Sequence, residues 1–246
     1  MGSGVVKRLE FLSLIGAAAG LRQGNPARFD LRPARSGQRL GAGSHPLGLG
    51  TGRDGVLFVP AAVESSTRAL PLLIALHGAG GAGARRIRHL SPFAEAHGML
   101  LLAPDARRMT WDAIRGTYGD DVAFIERAVQ WTFERCLVDR RRLFLEGFSD
   151  GASYALGLGL ANGDLFRRII AFSPGFIPDA GITNGAPAVF LSHGTADSIL
   201  PIESTSRRIV PRLRAAGLDV TYREFEGEHT VPEAVVREAF DWLLRS

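Results

Sequence analysis

Gly147-Phe148-Ser149-Asp150-Gly151 sets a serine between two glycines, directly after the apolar run Leu143-Phe144-Leu145-Glu146 and directly before Ala152-Ser153-Tyr154-Ala155-Leu156, which has helical character. Strand, tight turn and helix in that order would hold the Ser149 hydroxyl in a strained, raised position. The glycines are needed where strand and helix pass too close for side chains. A serine hydroxyl is a poor nucleophile until a base removes its proton, so an imidazole and a carboxylate to orient it must be found elsewhere. Of six histidines only His193 and His229 follow the serine, and chains that present a serine on such a turn supply the acid and then the histidine further along. His193-Gly194-Thr195-Ala196-Asp197 comes straight after the run Val189-Phe190-Leu191-Ser192, at a strand end where an acid fits. His229 lies in Gly227-Glu228-His229-Thr230-Val231-Pro232, between the last expected strand and the last expected helix. The expected catalytic set is therefore Ser149 as nucleophile, Asp197 as acid and His229 as base.

Other residues have plainer readings. Asp179, Asp219 and Glu203 also lie between Ser149 and His229; the two aspartates sit in loop and turn sequences and read as turn chemistry. His193 reads as a brace for the acid loop, and His45, His89 and His97 as ordinary surface or core histidines. Acyl transfer also needs donors for the oxyanion. Leu72-Leu73-Ile74-Ala75-Leu76 runs into His77-Gly78-Ala79-Gly80-Gly81, a glycine-rich loop after a strand, so the amides of Ala79 and Asp150 are the expected oxyanion hole and His77 orders the loop. The loop has neither the lysine of a phosphate-binding loop nor the spacing of a dinucleotide fingerprint. Trp111, Phe148, Phe176, Ile199 and Leu200 are expected to line the substrate pocket. Two readings stand for Asp150: an acid stabilised by the dipole at a helix N-terminus, or a carboxylate that disfavours anionic substrates.

Short apolar runs alternating with stretches of helical period supply the frame. Strands are expected at Gly55–Val59, Pro71–Leu76, Met99–Ala103, Leu143–Glu146, Ile169–Ser173, Ala188–Ser192 and Val220–Glu224, with helices over Asp121–Val129, Ile209–Leu213 and Val235–Leu244. Several strands are continuous Leu/Ile/Val/Phe runs, as expected when helices cover both faces of a mostly parallel sheet. No insertion is long enough for a large cap domain.

With 246 residues, 46% hydrophobic and 22% charged, the chain is expected to form one domain with an ordinary core. The net charge of +4 comes from scattered arginines, with Lys7 the single lysine. No aromatic platform or recognition motif accompanies them, so no nucleic-acid partner is expected. The single cysteine, Cys136, excludes an internal disulfide and a cysteine metal cluster; it reads as a packed thiol. No cofactor and no metal are expected, and the partner is a small-molecule ester.

Residues 1–24 carry Lys7-Arg8 ahead of an apolar stretch ending in Ala17-Ala18-Ala19, the layout of an export signal and too short to span a bilayer. Export to the periplasm or outside the cell, or a short helix docked on a cytoplasmic domain, both stand. Residues 25–44 read as a flexible connector and 45–246 as the catalytic domain.

The motifs at 77–81, 120–125, 147–151, 193–197 and 229–232 together resemble the phospholipase/carboxylesterase branch of the α/β-hydrolases, and are similar to polyhydroxybutyrate-depolymerase and feruloyl-esterase-like enzymes. The twin-arginine signal is also resembled by Arg8-Leu9-Glu10-Phe11-Leu12, with Leu9 in place of the second arginine. The enzyme resemblance covers most of Pro46 to Leu244. It implies an α/β-hydrolase fold, cofactor-free hydrolysis of short- to medium-chain carboxylic esters through an acyl-enzyme, and the roles given above to Ser149, Asp197 and His229. Asp150, where many relatives carry glutamine or alanine, and Glu228, where glycine is usual, are local departures. Alternatives are another acyl substrate (phospholipid, feruloyl ester, polyester or thioester), or a non-catalytic binding module on the same fold.

Overall fold

The computed structural model describes residues 25–32, 39–65, 67–180 and 184–245. Its centre is an eight-stranded sheet with β1 (Gly43–Pro46), β2 (Gly55–Val59), β3 (Leu70–Leu76), β4 (Leu100–Pro104), β5 (Val138–Phe148), β6 (Phe166–Phe172), β7 (Ala188–Gly194) and β8 (Val220–Phe225). The spatial order is β1-β2-β4-β3-β5-β6-β7-β8. β1 and β2 pair antiparallel at one edge, and β4 through β8 with β3 are parallel. This is the mostly parallel α/β sheet expected from the sequence, without a large cap among the described residues.

Alternation along the strands divides the core in two. Leu72, Ile74 and Leu76 pack with Val122, Ile125, Leu156 and Ile209 on one face, where α4 (Asp120–Arg135), α5 (Asp150–Ala161) and α6 (Ser206–Ala215) lie. Leu73 and Ala75 point the other way, into Leu90, Phe93, Val236 and Phe240 of α2 (Gly83–Ala96) and α7 (Glu233–Leu243). Both faces are thus buried, so every residue of β3 is apolar and β3 and β4 are buried along their whole length. Two short helices, α1 (Ala62–Ser65) and α3 (Asp112–Arg115), complete the set.

The order reverses at β3: the chain leaves it for β4 on one side, and β5 lies on the other. In open α/β sheets the crevice outside the strand ends at such a reversal is where ligands bind. The loop after β3 is the glycine-rich loop, and the turn after β5 carries Ser149.

The structure departs from the sequence expectation in several places. β1, α1, α2 and α3 were not expected. Residues 25–32, within the stretch read as connector, are docked: Ala27 is fully buried, Phe29 nearly so, and the Phe29 ring meets Phe166 edge-on at 5.6 Å. Asn162 at the end of α5 accepts from the Phe29 amide at 2.9 Å and donates to the Ala27 carbonyl at 2.7 Å. These partners lie about 130 residues away in the chain, so composition within the segment could not reveal them. Residues 1–24, the expected export signal, lie outside the described residues. No helix among the described residues is long and apolar enough to cross a membrane.

Candidate active site

β5 runs into a turn that places Ser149 at φ 57°, ψ −121°, a left-handed conformation that costs a non-glycine residue roughly 1–3 kcal/mol and persists only where the surroundings enforce it. The flanking glycines show what enforces it. A Cβ on Gly147 would lie 2.1 Å from the Gly151 carbonyl oxygen, and one on Gly151 would lie 2.2 Å from that of Leu76. The start of α5 is therefore pressed between β5 and β3, and the serine is forced outward.

The Ser149 Oγ lies 2.9 Å from His229 Nε2, and His229 Nδ1 lies 2.6 Å from Asp197 Oδ2. With Nδ1–H donated to the carboxylate, Nε2 is left as the acceptor for the serine proton, the tautomer a general base requires. The loops meet because Gly194 ends β7: a Cβ there would stand 2.4 Å from the Gly227 carbonyl oxygen. The amides of Thr195 and Ala196 donate across to Phe225 and Gly227, tying acid loop to base loop. Phe148 stacks on the His229 ring at 4.8 Å and limits its swing.

Asp197 collects donors on both oxygens. Oδ1 accepts from the amides of Ile199 and Leu200 at 3.0 and 2.8 Å; Oδ2 accepts from His229 and lies 3.1 Å from His193 Nε2. Burial by itself would raise the carboxyl pKa, but the Leu200 amide and the hydrogen bond and charge of His229 outweigh it and hold the group below its ordinary value. His193 is fully buried, with Nε2 also on the Leu200 carbonyl at 2.8 Å and Nδ1 on Ser206 Oγ at 2.6 Å. Burial lowers its pKa, so it serves as a neutral strut under the acid loop.

The loop after β3 is fixed from several sides. Burial also lowers the pKa of His77. Its neutral ring donates from Nδ1 to the Gly78 carbonyl at 2.7 Å and accepts at Nε2 from the Ala106 amide at 3.0 Å. Arg53 donates to the Gly81 carbonyl at 2.7 Å, the Gly80 amide to the Met109 carbonyl at 2.7 Å, and Trp111 Nε1 to the His77 carbonyl at 2.8 Å. The Met109 and Trp111 segment is in turn held by Asp121, whose carboxylate accepts the amides of Arg107 and Asp112, both at 2.6 Å. Burial, resisted by those amides, pushes the Asp121 pKa up to about 6. Gly78 abuts the serine, its notional Cβ being 3.1 Å from Ser149 Cβ. Ala79 lines the cavity beside the serine. Asp150 is the first residue of α5, where an amide has no partner within the helix; its carboxylate accepts from Thr110 Oγ1 at 2.5 Å.

That cavity has a volume of about 350 Å³ and lies between the 77–82 loop, the first turns of α2 and residues 229–231. Phe148 lines it. Trp111 does not: it is fully buried, stacked between His77 at 4.9 Å and Tyr154 at 5.2 Å. An indole N–H seeks a buried acceptor, and the His77 carbonyl lies under the loop and away from the cleft. Phe176 and Ile199 are exposed and Leu200 half-buried, close to Gly175; none of the three lines this cavity. Sequence reasoning missed Arg53, Asp121 and the pair formed by Arg86 with Glu146. Glu146 immediately precedes the elbow and is wholly buried. A charge closing the apolar run Leu143-Phe144-Leu145 was the available signal.

The sequence comparisons agree with this geometry. The family model described as phospholipase/carboxylesterase matches residues 119–244, just over half of the chain and the part that carries Ser149, Asp197 and His229. The chain belongs to the phospholipase/carboxylesterase family. Among curated relatives of this family member, feruloyl esterase C of Emericella nidulans is 29% identical over 159 residues, covering 62% of this chain and 57% of the relative. The chain therefore matches little more than half the length of that relative. Among solved structures, an S-formylglutathione hydrolase from Staphylococcus aureus aligns with a TM-score of 0.67 at 14% identity, covering 85% of this chain and 99% of the other. The Bacillus cereus carboxylesterase aligns with a TM-score of 0.58 at 20% identity, covering 78% and 94%. At these identities the structural likeness establishes the shared fold.

Proposed function

We propose that this phospholipase/carboxylesterase family member is a serine carboxylesterase for short- to medium-chain esters, acting through an acyl-enzyme on Ser149. The observation that carries the reading is the continuous relay from Ser149 Oγ through His229 to Asp197, with hydrogen bonds of 2.9 and 2.6 Å. His229 Nε2 takes the serine proton as Oγ attacks the ester carbonyl. The amides of Ala79 and Asp150 receive the charge that develops on the carbonyl oxygen, and Asp197 stabilises the imidazolium. The imidazolium then protonates the departing alkoxide, which leaves as the alcohol. In the second half a water gives its proton to His229 and attacks the acyl-enzyme, and the imidazolium returns that proton to Ser149 Oγ as the acyl–Oγ bond breaks and the acid leaves.

The test is a 4-nitrophenyl ester series from acetate to dodecanoate with wild type and Ser149→Ala. The expected kcat/KM is highest for the shorter chains, and the substitution lowers turnover by about 10⁴–10⁶. Near-normal hydrolysis by Ser149→Ala would refute the assignment, and activity on long chains alone would move the reading to a lipase or phospholipase. The likeness to feruloyl esterase C favours one second reading, a hydroxycinnamoyl acyl group, which methyl ferulate in the same panel decides. For the N-terminal segment we propose export, tested by whether the mature protein outside the cytoplasm lacks residues 1–24.

A further inference from the structure

The cavity beside Ser149 carries one uncompensated cation, the Arg85 guanidinium, with the imidazole of His89, whose pKa burial and Arg86 lower, beside it. Arg85, Arg86 and His89 of α2 all line it, and Arg85 and His89, four residues apart, share a helix face. The carboxylates near this wall have partners of their own: Asp105 accepts from the Gly83 amide at 2.6 Å, and Glu233, which also acts electrostatically on His89, pairs with an arginine. Glu146 is paired with Arg86, Glu233 accepts from Arg237 at 2.7 Å, and Asp150 takes the Thr110 hydroxyl. Glu228 is exposed and is not part of the lining. Arg85 is exposed, and among the described residues its guanidinium forms no ion pair.

The direction of the reaction says which half of the ester enters here. The imidazolium of His229 must reach the departing oxygen, so the alcohol lies on the imidazole side of the serine. His229, Thr230 and Val231 form one wall of this cavity. We propose that it is the alcohol subsite, and that Arg85, assisted by His89, makes it selective for esters whose alcohol half bears a carboxylate. The reaction is then hydrolysis of an acylated hydroxy acid: water cleaves the acyl–oxygen bond, giving the free acid and the hydroxycarboxylate. This inference rests on the esterase reading above, and it assigns the charge preference of that site to the arginine wall, against the exclusion of anions considered for Asp150.

Two butyrate esters with the same acyl group form the test: 3-(butyryloxy)benzoate and its methyl ester, followed by proton release at constant pH and low salt. The expected kcat/KM of wild type favours the charged ester by about tenfold, the scale of one partly exposed charge-assisted hydrogen bond. Arg85→Gln should lower the charged-to-neutral ratio by about tenfold, Arg85→Lys should keep most of it, and added salt should compress it. As a control, mono-(4-nitrophenyl) adipate and 4-nitrophenyl hexanoate move the carboxylate to the acyl half, where Arg85→Gln should not change the ratio. A charged-to-neutral ratio that Arg85→Gln leaves intact overturns the subsite assignment, as does an Arg85-dependent advantage only for the adipate. In both cases the neutral butyrate is still hydrolysed, so the esterase reading survives; hydrolysis of neither butyrate ester would sink both.

Discussion

Ser149 and Ser173 stand at the ends of neighbouring parallel strands with nearly the same positive φ. Ser149 has φ 57° and Ser173 φ 51°, and among the described residues they are the two non-glycine positions with positive φ. Each passes its amide to the next strand, Ser149 to the Phe172 carbonyl at 2.9 Å and Ser173 to that of Ser192 at 2.8 Å. Their hydroxyls part company. Ser149 Oγ meets an imidazole, whereas Ser173 Oγ is buried without a hydrogen-bond partner among the described residues. Positive φ at a strand end therefore does not by itself single out a nucleophile. On the proposed reading, what distinguishes Ser149 is the imidazole that the loop after β8 brings to it, and the glycine-rich loop that follows β3 on the other side.

The strongest way to break this comparison is to exchange the two serines for alanine. Ser149→Ala should cost about 10⁴–10⁶ in turnover of 4-nitrophenyl butyrate. Ser173→Ala removes an unpaired buried hydroxyl at a site already strained by its Cβ, so activity should stay within about threefold and stability within about 1 kcal/mol. A large loss of turnover in a folded Ser173→Ala protein would show that the partnerless serine takes part after all.

The two imidazoles on Asp197 sharpen the contrast. His229→Gln removes the base and should lower kcat by at least about 10³, the lower end of what loss of such a relay costs. His193→Gln disturbs a strut that touches Asp197 only from behind. It should cost about 10- to 100-fold and lower thermal stability, because a buried histidine leaves its partners unsatisfied. Equal losses at the two positions would contradict the division into base and brace.

The strands beneath the two serines differ as well. The register sets Glu146 of β5 beside Ile170 of β6, so a buried ion stands next to a hydrocarbon. Burial, incompletely offset by Arg86, raises the Glu146 pKa to about 7 from an ordinary 4.5. The folded state then binds a proton more tightly than the unfolded one. Glu146 contributes most below about pH 4.5, and its contribution falls as pH rises through 7, opposite to an ordinary paired carboxylate. Unfolding of wild type and Glu146→Gln by denaturant at pH 5 and pH 8 should show the wild type losing about 2–3 kcal/mol relative to the variant across that interval. A gap that does not change with pH would place the Glu146 pKa near its ordinary value.

Much of this site was legible in the sequence because its parts are local. The glycines of 147–151 and 77–81 are demanded by backbone approach, and the order Ser149, Asp197, His229 follows the order of the strand ends. All seven expected strands appear, most of them because continuous Leu/Ile/Val/Phe runs report burial on both faces. β1 escaped because Gly43-Ser44-His45-Pro46 has no apolar alternation. α2 carries Ile87, Leu90, Phe93 and Ala94 at helical spacing, yet Arg85-Arg86, Arg88 and Pro92 mask the pattern. Trp111 was misplaced because a sequence gives a side chain's neighbours in the chain and not the carbonyl of His77, 34 residues away, that its N–H reaches. The docking of Ala27 and Phe29 on Asn162 was hidden for the same reason.

The most direct measurement is covalent labelling with a fluorophosphonate followed by peptide mass spectrometry on wild type, Ser173→Ala and His229→Gln. The account predicts one adduct on the peptide containing Ser149, formed equally fast in Ser173→Ala and largely lost in His229→Gln. An adduct on Ser173, or labelling of Ser149 that is indifferent to His229, would contradict it.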